Sequence, residues 1–131
     1  LYSGLKPNSY IWLKKTIIEI DRCIKISPLK ANLYDFKADL LEEIEESQRE
    51  IEKNRLQALS SYPNLPRYHY KLACFYQKSN NVENALKYFK SAIYLNNRSH
   101  RYILLNKEEY DDAVKYELEN REKSDINSKY Q

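Results

Sequence analysis

The sequence predicts an all-α protein made of antiparallel helix-turn-helix repeats. Three observations lead there. Apolar residues recur at helical spacing along most of the chain. One glycine (Gly4) and four prolines in 131 residues leave little of the turn chemistry that strand hairpins need. A small residue followed five places later by a helix stop recurs as Cys23/Pro28, Ala58/Pro63 and Ala92/Asn97, at spacings of 35 and 34 residues.

The elements follow in order. Ser9 can cap a first helix to Ile26, whose apolar stripe is Ile11, Leu13, Ile17, Ile20 and Ile24, with Pro28 as its stop. Helical sequence then runs from Ala31 to about Ser60, stopping before Pro63. After Asn32 it holds no glycine, proline or asparagine before Asn54, so two helices and one long helix through Glu45–Glu50 both stay open. Pro66 suits the first turn of the next helix, which ends at Ser79-Asn80-Asn81. A helix over residues 83–95 follows, then Asn96-Asn97, a short helical piece near His100–Leu105, and a last helix from Lys107 to Asn120. Residues 1–120 are expected to form one helical domain and the polar stretch 121–131 a frayed or disordered tail. The chain contains no methionine and reads as part of a longer array or protein.

Within residues 66–99, Leu72, Ala73, Tyr76, Ala85, Phe89 and Ala92 fall in a fixed order. This resembles the tetratricopeptide repeat, a helix-turn-helix of 34 residues with a leucine-small-x-x-tyrosine first helix and a small-x3-aromatic-x2-alanine second helix. His69 stands where that family usually has tryptophan, and Ala73 and Asn80 replace glycines. Tyr34, Ala38, Leu41, Ile51 and Ala58 align over residues 31–64 once one residue is inserted, with Arg55 in the aromatic position. Residues 9–26 match a second helix alone, and residues 101–120 a polar closing unit.

The resemblance implies a short right-handed α-solenoid whose first helices line a concave groove. It also implies a non-catalytic scaffold or adaptor that binds a peptide or partner helix, without a cofactor. Carried across, the groove positions are Arg67, Tyr70, Lys71, Cys74 and Gln77 in one repeat and Asn32, Asp35, Asp39 and Glu42 in the other. Arg67, Tyr70, Lys71, Gln77, Asp35, Asp39 and Glu42 are the expected peptide-binding residues. Exposed ends of such a solenoid could support self-association.

The residues give no enzyme constellation. His69 and His100 lie in separate elements with no ligand at metal spacing, and His69 reads as a packed aromatic. One glycine cannot build a phosphate loop. The run Glu42–Ser47 reads as a solvated face, and Ser60-Ser61 lacks a base. No catalytic residue and no metal site is expected. A role as a regulatory or oligomerising segment of a larger enzyme stays open.

Net charge is +3, arranged in bands: +4 over residues 1–31, −5 over 32–53, Arg55 alone over 54–65, +6 over 66–106 and −3 over 107–131. Arg67, Lys71, Arg98 and Arg101 interleave with tyrosines in a way that suits single-stranded RNA, but the acidic band beside them disfavours nucleic acid. Facing walls of opposite charge would instead select a dipolar partner. No apolar run reaches the roughly 20 residues of a membrane span. Cys23 and Cys74 belong to no paired-cysteine motif, and free thiols weakly favour the cytoplasm while the compartment stays open.

Overall fold

The computed structural model describes the backbone of residues 7–98 and 104–130, and side chains over 9–98 and 104–121. Among these residues there are six helices and no strand: α1 Pro7–Ile26, α2 Ala31–Glu43, α3 Gln48–Ser61, α4 Pro66–Lys78, α5 Val82–Arg98 and α6 Lys107–Tyr130. They divide into two compact units, 1–63 and 64–131. The helical piece expected near His100–Leu105 falls largely outside the described residues. Helical backbone continues to Tyr130, across the segment expected to fray. That segment has no glycine or proline to stop it, and a pair between Arg121 Nη2 and Glu117 Oε2 at 2.7 Å staples the turn leading into it.

In the first unit α2 and α3 form a hairpin, and α1 packs on α2. The alternative of one long helix is settled: the chain turns at Ile44–Ser47. Ile44 N donates to Leu40 O (3.1 Å), Glu45 N to Glu42 O (3.2 Å) and Glu46 N to Leu41 O (3.0 Å). These bonds satisfy the last carbonyls of α2, with Glu45 in the left-handed region at φ 54°. Burying the Ile44 side chain completely anchors a turn that no glycine or asparagine announces.

In the second unit α4 and α5 form a hairpin, and α6 packs on α5. Its turn repeats the same three bonds 35 residues on. Ser79 N donates to Phe75 O (3.2 Å), Asn80 N to Gln77 O (3.1 Å) and Asn81 N to Tyr76 O (2.9 Å), with Asn80 at φ 59°. Helices α2 and α4 each have 13 residues and start 35 apart, whereas α3 and α5 start 34 apart. The inserted residue required by the alignment therefore sits in the turn between α2 and α3.

Each hairpin closes on small side chains. Ala38 and Ala58 in the first, and Ala73, Ala85 and Ala92 in the second, are 0–1% exposed. A methyl group at these points lets the helix axes approach to the short end of the usual spacing. Larger residues fill the space beside them: Leu41 and Ile51 in one hairpin, Leu72, Tyr76 and Phe89 in the other.

Candidate functional site

The residues expected to bind a peptide fall into two clusters, one in each unit, and each is described by itself. In the first unit Asp35, Asp39 and Glu42 are spaced i, i+4, i+7 along one face of α2. Arg55, from α3, lies under that face and is only 4% exposed. Its Nη1 meets Asp35 Oδ1 at 3.0 Å, and its Nη2 meets Asp39 Oδ1 at 2.7 Å and Glu42 Oε1 at 3.1 Å. Burial alone would lower the Arg55 pKa. The charges of Glu42 and Asp39, with the hydrogen bonds that both carboxylates accept, outweigh burial and push it up. The guanidinium is thus held charged in the core of the hairpin, against three carboxylates.

The equivalent set in the second hairpin is apolar or neutral. Adding 35 to the α2 positions and 34 to the α3 position converts Asp35, Asp39, Glu42 and Arg55 into Tyr70, Cys74, Gln77 and Phe89. The Tyr70 and Phe89 rings meet edge to face at 5.9 Å, and Phe89 lies 4.8 Å from Tyr116 of α6. One core position is filled by an aromatic plug in one hairpin and by an ion cluster in the other. By sequence alone Arg55 stands out as a departure from the aromatic pattern and the carboxylates look like groove residues. The available signal was the joint exchange of Tyr70 and Phe89 for Asp35 and Arg55.

The other predicted residues lie on α4. Arg67 is half-buried; its Nη2 donates to Glu109 Oε1 at 3.2 Å and to the Leu104 carbonyl at 3.4 Å. Glu109 also belongs to the cap of α6: its Oε1 accepts from Asn106 N at 2.9 Å while its own N donates to Asn106 Oδ1 at 2.8 Å. The Tyr70 hydroxyl donates to Asp112 Oδ2 at 3.4 Å. Burial, then the neighbouring Cys74 and the charges of Asp112 and Glu109, push the Tyr70 phenol well above its ordinary range, so it stays protonated. Lys71 is half-buried and Gln77 exposed. Within this unit, then, α6 supplies carboxylates to Arg67 and Tyr70, which the sequence reading assigned to an outside partner.

His69 is half-buried with its ring 6.2 Å from that of Tyr88, which in turn stacks on Tyr76 at 5.7 Å. It stands among aromatic side chains. No group of three or more His, Cys, Asp or Glu side chains that could hold a metal ion occurs among the described residues. Neither cysteine is in a disulfide; Cys23 is exposed and Cys74 half-buried. No described helix is long and apolar enough to cross a membrane. No protein-family model matches the chain, and no curated protein matches it.

Proposed function

We propose that this chain is a non-catalytic protein–protein interaction module of tetratricopeptide type, holding a peptide or partner helix against the first helices of its hairpins. One observation carries the reading. The two hairpins share turn bonds, first-helix length and buried small residues, while α2 and α4 differ in what they offer at equivalent positions. A constant frame with a variable face is the arrangement of a recognition scaffold. On the α2 face, Asp35, Asp39 and Glu42 line up over Arg55 as three acidic groups, and the Asp39 side chain keeps 42% of its exposure. That face suits a partner carrying lysine or arginine. On the α4 face, Lys71 and Gln77 adjoin Arg67 and Tyr70, and a partner there competes with Glu109 and Asp112 for them.

Selection of peptides from a random displayed library against the whole chain tests this. Basic peptides should be enriched, and Asp39→Asn should weaken them while helix content stays unchanged. Enrichment of no sequence, or binding indifferent to both Asp39→Asn and Glu42→Gln, would overturn the reading.

A further inference from the structure

Helix α1 buries Leu13 and Ile20, and half-buries Ile17 and Ile24, on the side that packs on α2. Its opposite side carries a second stripe at steps of four, three, four and four: Ile11, Lys15, Ile18, Arg22, Ile26. Here Ile11 is 52% exposed, Ile18 53% and Ile26 82%, and Trp12 beside them is 60% exposed. Leu29, in the turn that follows, is 81% exposed.

The hairpin frame does not ask for Trp12 or Ile18. At the 35-residue offset, Ile18 and Trp12 of α1 correspond to Lys53 and Ser47 around α3, and 34 further to Lys87 and Asn81 around α5. Those positions are all exposed and polar. Only α1 places large apolar groups there, and it sets Lys15, Arg22, Lys25 and, after the helix, Lys30 among them, all exposed. The exposed carboxylate on this side is Glu19, which pairs with Arg22 at 2.6 Å.

Chemistry and shape together choose the occupant. Cations interleaved with the isoleucines call for an anionic counterpart, and in an antiparallel pair with a second copy Lys15 would oppose Arg22. The stripe runs along the outward ridge of a helix, a shape that a fluid interface accepts without a matching groove. Tryptophan and isoleucine fit the boundary between headgroups and acyl chains, and lysine and arginine reach up from that depth to phosphate. We infer that α1 is an in-plane anchor for anionic phospholipid surfaces. Ile11, Trp12, Ile18 and Ile26 enter the interface while Lys15, Arg22 and Lys25 meet the lipid phosphates.

Trp12 is the chain's one tryptophan, so the test has a built-in reporter. The whole chain is mixed with vesicles of phosphatidylcholine containing phosphatidylserine, or of phosphatidylcholine alone, and followed by co-flotation and Trp12 emission. Flotation with the anionic vesicles and a blue shift are expected. Affinity should be at least about tenfold lower for the neutral vesicles, since each basic residue near an anionic surface adds to binding. Ile18→Glu should abolish flotation at unchanged melting temperature, because the side chain it removes is exposed; Lys15→Glu with Lys25→Glu should do the same. Absence of flotation, flotation that survives Ile18→Glu, or an emission shift that depends on protein concentration without lipid would each overturn the proposal. The last of these would assign the face to a protein helix.

Discussion

Replacing Arg55 by phenylalanine should destabilise the first unit even though phenylalanine fills the same position in the second. The guanidinium is 4% exposed and meets three carboxylates within 3.1 Å, whose side chains are 19%, 42% and 29% exposed. Breaking a buried pair by deleting one partner costs about 3–5 kcal/mol, because the other charge stays behind uncompensated. Solvent screens part of that here, above all at Asp39, so the expected cost is about 2–4 kcal/mol. Now add Asp35→Tyr, Asp39→Cys and Glu42→Gln, the residues found at Tyr70, Cys74 and Gln77. The unpaired charges are gone and the ring gains its edge-to-face neighbour, so the fourfold variant should return to within about 1 kcal/mol of the parent or exceed it. Urea unfolding followed by circular dichroism gives both values from midpoints at constant slope. If Arg55→Phe alone is tolerated within about 0.5 kcal/mol, the ion cluster does not hold the hairpin. If the fourfold variant is no better than the single one, the two cores are not interchangeable.

Three further outcomes follow from the same packing. Glu45→Gly should stabilise by about 0.5–1 kcal/mol, since a side chain in the left-handed region costs more than glycine's extra chain entropy; Asn80→Gly should give less, and urea midpoints decide. Ala92→Leu should cost about 1–3 kcal/mol through overpacking, and so should Ala113→Leu, because both are 0% exposed; equal midpoints for parent and variants would refute the close contact. Burial and its neighbours raise the Tyr70 phenol above its ordinary 10.0, and burial raises that of Tyr116, so both keep their protons in the folded state at pH values where the unfolded chain loses them. Their contribution is complete below about pH 10 and is lost as pH rises through the folded values, so melting temperature should fall steeply above about pH 10, and less steeply in Tyr70→Phe.

How much of this was legible depends on where each signal resides. Helices were legible because their apolar residues repeat at the helical period, and the turn at Ser79–Asn81 because asparagine tolerates a positive φ. The turn at Ile44–Ser47 was hidden for two reasons: its left-handed residue is Glu45, and its anchor Ile44 reads as one more apolar residue in a helical stripe. The candidate residues could be placed along α2 and α4 from the sequence, but the partners they meet within each unit could not. Asp35, Asp39 and Glu42 look solvated in sequence, because the cation that meets them lies 20, 16 and 13 residues further along, at a position marked for an aromatic ring. Arg67 and Tyr70 look available because Glu109 and Asp112 are 42 residues away. The consequence reaches the function. In the first hairpin the charge on the face and the filling of the core are one structure, so under the proposed function substituting Asp39 or Glu42 should change recognition and stability together. Gln77, at the same position of the second hairpin, is exposed over a core closed by Phe89, and its substitution should alter recognition alone. Binding lost with stability intact is therefore to be sought at Gln77. A loss at Asp39 carries that meaning only after the ion-pair cost measured through Arg55 has been subtracted.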